Sequence, residues 1–342
     1  MLTRRIPANG RYVAAAAALI TAVILSWVPA PAQTGGGTTS AAADLKVTVD
    51  VRRFYYVGDP VLIRITLFND GKTPYDNAKG TDLLGFTAVV DVTGAAMKRK
   101  PSPTAETRVQ PAVIVAGGFF GFIADLRDAV EGLDKPGRFM VQFKMPGLEV
   151  APTPVVIIPR YDPATAYQAT MESDYGRLVF DLLGGTAPKH VQNFYDLANQ
   201  GYYDSAYINA VIKGVEIHGG DTAGDGSSTP GYDLPFEIDP NVPQRRGTLS
   251  MIPIGKTDHG AQFLIALTDQ SAAVGQFSAF GVMVSGEEAL SAIENLPTNG
   301  RKNLPFFRPI TEVRIRSIRV VHAPAGSKAT AMESPVKDTP KP

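Results

Sequence analysis

Cysteine is absent from all 342 residues. Disulfide staples, thiol chemistry and a lipidated N-terminal cysteine are therefore excluded. Stability has to come from core burial, and 44% apolar with 19% charged residues is an ordinary globular mix for that purpose. Tryptophan occurs once, at Trp27. The formal net charge is +0, so no excess of one sign favours nucleic acid or an anionic membrane surface. No HExxH or comparable metal-ligand spacing occurs. The glycine-rich "TAGDGSSTPG" at 222–231 does not connect a strand to a helix as a phosphate-cradling loop would. No cofactor and no metal are implied.

The two ends differ from the rest. Arg4, Arg5 and Arg11 precede the apolar run "YVAAAAALITAVILSWV", and Ala30-Pro31-Ala32 offers small residues for cleavage. Residues 1–32 thus read as a secretory signal and 33–43 as a flexible linker, giving an exported protein, periplasmic or extracellular. No stable membrane insertion is expected after cleavage; an uncleaved N-terminal membrane anchor is the alternative, since the run approaches spanning length. Cleavage removes three positive charges and leaves about −3 by count. Residues 323–342, rich in Pro, Ala, Ser and charge, read as a disordered tail.

Between the ends, residues 44–160 carry period-two alternation. Leu45, Val47, Val49 and Val51 share one face, as do Val61, Ile63, Ile65 and Leu67, and Phe139, Val141 and Phe143. Turns at "GDP", "NDGKTP" and "DKPG" separate these runs, predicting an antiparallel β-sandwich with a helical turn in "FIADLRDAVEGL". "YYVGDPVLIRITLFNDG" loosely resembles the opening of immunoglobulin-like envelope modules, which carry no catalytic residues. Pro152, Pro154, Pro159 and Pro163 close this region, with the boundary near 159–165.

Residues 166–321 mix both periods. "TAPKHVQNFYDLANQG" predicts a helix with Thr186 as N-cap, Pro188 in its first turn, Gly201 at its end, and Val191, Phe194, Leu197 and Ala198 on one face. "GEEALSAIENL" predicts a second helix, and "GRLVFDLL", "AVIKGVEI", "GTLSMIPI", "QFLIAL" and "FSAFGVMV" predict strands. His190 and His322 read as surface residues.

Several blocks of this region occur in one recognisable order: "APKHVQNFYDLANQGYYD", "VIKGVEIHGGD", "GTLSM", "GAQFLIAL" and "FGVMVSGEEALSAIENLP". Through them residues 168–297 resemble the cyclophilin family of peptidyl-prolyl isomerases. The resemblance implies a mainly β chain: an immunoglobulin-like sandwich followed by a closed eight-stranded β-barrel capped by two α-helices. In that family an arginine donates a hydrogen bond that withdraws the proline nitrogen's lone pair from amide conjugation, and an apolar pocket grips the proline ring.

Aligned without gaps on the family pattern, 208–221 place Ala210 at the catalytic arginine, with Asn209 beside it. The pocket positions become Val215, Glu216, His218, Leu264 and Phe277, and the tryptophan position Ala272, while Gln262 keeps the family's substrate-binding glutamine. Arg245 and Arg246 lie too far downstream to replace the arginine and read as a solvated turn. Glu216 and His218, two apart on a strand, share a face. Three readings stay open for them: His218 fills space and bonds backbone, His218 substitutes as donor, or the pair joins Asp221 or His259 around a metal.

The expected function is an exported cyclophilin-family protein with a degenerate site. It binds peptide or protein segments, proline-containing ones included, with weak or no isomerase activity. The alternative is a non-catalytic structural or interaction module of an envelope assembly.

Overall fold

The computed structural model describes residues 45–77, 83–101, 112–270 and 275–324; the signal, linker and most of the tail expected above, and Ala272, lie outside these. The chain divides between Ile157 and Ile158 into two compact units. No helix among the described residues is long and apolar enough to cross a membrane.

In the first unit the alternating runs become antiparallel strands. β1 (Leu45–Val51), β3 (Leu62–Asn69) and β7 (Phe119–Asp125) form one sheet in that order. β2 (Phe54–Tyr56), β9 (Leu148–Ile158), β8 (Gly137–Met145) and β5 (Thr87–Asp91) form another, and the short β4 (Tyr75–Asn77) and β6 (Ala112–Ile114) pair with each other. Ile63, Ile65 and Leu67 from the first sheet and Val89, Val141, Phe143, Val155 and Ile157 from the second share one buried cluster. Period-two alternation produces this directly, because every second side chain points to the same face. The helical turn α1 (Leu126–Ala129) begins at Asp125, whose carboxylate accepts from the Arg127 and Val61 N–H groups.

The second unit is a closed barrel. Around it run β13 (Glu216–Asp221), β12 (Ala206–Ile212), β18 (Val313–His322), β10 (Tyr167–Ser173), β11 (Gly176–Leu182), β17 (Ala279–Ser285), β15 (Thr248–Ile254) and β16 (Thr257–Ala266). β16 pairs back onto β13, which closes eight antiparallel strands and leaves no free edge. The two-residue β14 (Asp233–Leu234) lies on β16. Inward-facing Ile217, Phe263, Ile265, Leu249 and Met251 are all fully buried.

Helix α2 (Pro188–Gln200) buries Val191, Phe194, Leu197 and Ala198, as its spacing predicts. Phe194 meets the Tyr203, Phe263 and Phe280 rings at centroid distances of 5.3, 5.9 and 5.0 Å. Each such burial contributes about 1.5–3 kcal/mol. Gly201 ends the helix in the left-handed conformation at φ 89°, where a Cβ would cost strain.

Its start corrects the sequence reading. Thr186 does not cap it; the N-cap is Ala187, which offers no side-chain acceptor. The Glu237 carboxylate takes that role from a distant loop, accepting the Lys189 and His190 N–H groups at 2.9 and 3.1 Å. A carboxylate there satisfies orphan donors and opposes the positive end of the helix dipole.

Helix α3 (Glu287–Glu294) follows β17. Arg246 fixes it, which corrects the solvated-turn reading. The guanidinium donates to Glu287, Glu294 and Ser291 of the helix and to the Leu267 carbonyl at 2.8–3.0 Å.

Candidate functional site

The outward side of three barrel strands collects most of the residues singled out above. Ala210 on β12 lies directly opposite His218 on β13, which lies opposite Leu264 on β16. Directly opposed residues of antiparallel strands share a face, so the three form one row across the sheet. Glu216 and Gln262, each two residues from a member of the row on the same strand, extend it. Val215 sits at the β12–β13 turn and is 40% exposed. Phe277 is half-buried just before β17, and no hydrogen bond or ring contact joins it to the row among the described residues.

The register of β12 slips between Ile208 and Ala210. Asn209 is therefore the extra residue of a β-bulge, a device that re-aims a side chain beside functional sites. Its amide points toward the loop that follows Asp221: a Cβ built on Gly226 would lie 3.5 Å from Asn209 Nδ2. Asn209 Oδ1 is buried and has no hydrogen-bond partner among the described residues.

Asp221 organises that loop. Wholly buried, its carboxylate accepts the Gly226 and Ser228 N–H groups at 2.8 and 3.1 Å and the Ser228 hydroxyl. Gln262 holds the other side, its Nε2 donating to the Gly226 and Ser228 carbonyls at 3.0 and 2.8 Å. That leaves Oε1 as the acceptor atom of the amide. His259 supports Gln262 from below: Nδ1 accepts the Ala261 and Gln262 N–H groups at 2.9 and 2.8 Å. That geometry requires a neutral ring with its proton on Nε2. Burial pushes the His259 pKa below the ordinary 6.5, in agreement.

His218 Nε2 lies 2.7 Å from Glu216 Oε1, with 23% and 15% of the two side chains exposed. In the neutral ring Nε2–H donates to Glu216 and Nδ1 is left as an acceptor. Only the doubly protonated ring has a second donor to offer. Of the three readings kept open, the backbone-bonding one is replaced by a histidine–carboxylate pair. Among the described residues no group of three or more His, Asp and Glu is placed to hold a metal ion.

His190 was read as a surface residue and is instead fully buried. Nδ1 meets Glu237 at 2.8 Å and Nε2 meets Asp258 at 2.9 Å. Burial works against its charged form, but hydrogen bonds to Asp258 and Glu237 and their charges outweigh it, so the pKa lies above 6.5. No local pattern signals this, because both partners come from other strands and loops. The first unit has a surface groove of about 690 Å³ lined by Lys98, Lys100, Asp128, Glu131 and Lys135. Lys98 and Glu131 pair at 3.0 Å there.

A family model described as cyclophilin type peptidyl-prolyl cis-trans isomerase/CLD matches residues 168–320. The chain is 34% identical to the peptidyl-prolyl cis-trans isomerase-like 1 of Neurospora crassa over 160 residues, 46% of this chain and 95% of that protein. To a peptidyl-prolyl cis-trans isomerase of Synechococcus elongatus it is 34% identical over 134 residues, 39% of this chain and 91% of that one. A crystal structure of a Cryptosporidium parvum cyclophilin type isomerase in the presence of the dipeptide Ala-Pro is 31% identical, covers 46% of this chain and 99% of its own, and has a TM-score of 0.42.

Proposed function

Because the chain belongs to the cyclophilin-type peptidyl-prolyl cis-trans isomerase family, we propose that it is an exported member that binds proline-containing or extended peptide segments on its outward row, with weak or no isomerase activity. The observation that carries this reading is the chemistry of the row. Ala210 offers a methyl group, His218 has its Nε2 on Glu216, and Gln262 has its Nε2 on loop carbonyls. An X-Pro bond rotates over a barrier of about 18–20 kcal/mol, and catalysis needs a donor placed for the twisted form. Losing one such donor costs on the order of 10²–10³ in rate. Val215, 40% exposed, still presents apolar surface for a proline ring, while Leu264 is buried within the row, and Gln262 Oε1 still accepts a backbone N–H.

Export is supported by the Arg4–Arg5–Arg11 cluster, the apolar run and Ala30-Pro31-Ala32. The first unit we read as immunoglobulin-like and as a spacer or binding platform, on its two antiparallel sheets and the Gly58-Asp59-Pro60 turn.

Titrating the ¹⁵N-labelled full chain with a short Ala-Pro peptide tests the binding. Amide shifts at Ala210, His218, Gln262 and 222–228, lost in Gln262→Ala, are expected. An absence of shifts at saturating peptide would make the row an idle surface and overturn the reading.

A further inference from the structure

A peptide lying across Ala210 presents backbone carbonyl oxygens that need donors, and the polar side chains of the row have theirs committed elsewhere. The segment leading into β18 brings another. Its course beside β12 is fixed by backbone bonds: Val211 N–H to the Phe307 carbonyl at 2.9 Å, and Asn299 N–H to the Arg308 carbonyl at 2.9 Å. Thr298 and Pro309 form an isolated bridge across the same loop. Val211 directly follows Ala210, and Phe307 directly precedes Arg308. Arg308 therefore leaves the chain beside the row, at the edge of β12 opposite the one that pairs with His218.

The Arg308 guanidinium is held loosely. Its side chain is 35% exposed, and the hydrogen bond it makes among the described residues runs from Nη2 to Glu312 at 3.1 Å, an i,i+4 pair whose acid is 51% exposed. Such pairs stabilise little and leave most of the five N–H donors of a guanidinium open. Asp225, in the loop after Asp221, is close enough to feel the Arg308 charge. Hydrogen bonds from the Ser227 hydroxyl and N–H draw the Asp225 pKa below the usual carboxylate value, and the Arg308 charge adds a smaller pull in the same direction. Gly226 follows, with its carbonyl on Gln262 and its Cα facing Asn209. Arg308, by its backbone link to β12, and the 222–228 loop, held by Gln262 and facing Asn209, thus flank Ala210 from two sides.

We propose that Arg308 is the substrate-binding cation of this cleft, donating to a backbone carbonyl oxygen of a peptide segment that lies across Ala210. The inference rests on the peptide-binding reading above and adds the group that grips the peptide backbone. No bond is made or broken in this step. The guanidinium reaches the cleft from the loop before β18 rather than from β12, and the small Ala210 side chain leaves space for it.

The test is the same Ala-Pro peptide titration on the full chain, comparing wild type with Arg308→Ala, Arg308→Gln and the double variant Arg308→Ala/Ala210→Arg. Removing a charge-assisted donor should weaken Kd about tenfold or more. The double variant should recover most of that loss, because it returns a guanidinium to the same patch from β12. If Arg308→Ala disturbs the loop in the amide spectrum, Arg308→Gln decides, since it keeps a long side chain and removes the charge. A wild-type Kd in the folded Arg308 variants would overturn the inference and leave peptide binding intact. A wild-type protein that does not bind the peptide would overturn both.

Discussion

On β16, Phe263 and Ile265 face into the barrel while Gln262 and Leu264 face out, and β13 alternates in the same way, whereas the bulge at Asn209 interrupts the alternation of β12. The inward set is large, apolar and wholly buried: Ile217, Phe263, Ile265, Leu249 and Met251. The outward set holds an alanine, a histidine–carboxylate pair and a glutamine holding a loop. Both sets share the same backbone, yet they carry different properties. The inward residues specify a closed barrel because they must fill it. The outward residues are free of that demand, so the chemistry on them can change while the barrel stays the same.

Mutations can break this comparison. Phe263→Ala should have the largest effect, about 3–5 kcal/mol of stability, read as a lowered urea midpoint of the second unit. A cost below about 1 kcal/mol would mean that the interior is not close-packed. His190 sharpens the contrast, being as buried as Phe263 but ionisable. Its raised pKa means that its protonated form stabilises the fold fully below about 6.5, and this contribution fades as pH rises through the raised value. Replacing it leaves two carboxylates without their partner, so His190→Gln should cost about 3 kcal/mol at pH 6. The difference from wild type should shrink in melts at pH 8–9. A pH-independent difference would contradict the buried ion-pair account.

Arg246→Ala tests an outward residue that does serve the fold. Losing its bonds to α3 should cost about 1.5–3 kcal/mol, with faster hydrogen exchange in Glu287–Glu294 as the local readout. Val215→Ala should cost least, within about 0.5 kcal/mol of stability, because the side chain is 40% exposed. Peptide affinity should fall nonetheless.

The sequence made the strands of both units legible through period-two runs such as Ile63, Ile65 and Leu67, which need only local information. Val191, Phe194, Leu197 and Ala198 revealed α2 in the same way. Its cap was not legible, because Glu237 lies 48 residues from Lys189 and only the fold brings them together. His190 looked like an ordinary helix-surface histidine for the same reason. In the site, the family resemblance singled out Ala210, His218 and Leu264, and strand register is what sets these three in one row. It could not reveal the bulge at Asn209, which depends on register slipping against β13. Arg308 carried no motif, and its position beside Ala210 follows from one backbone bond between Val211 and Phe307.

The most direct test of the central claim, that the barrel is kept while the outward donor is lost, is X-Pro isomerisation followed by exchange NMR on a short Ala-Pro peptide. The account predicts little or no acceleration by the wild-type chain and a gain on the order of 100-fold in Ala210→Arg. Efficient acceleration by the wild type, unchanged in Ala210→Arg, would contradict it.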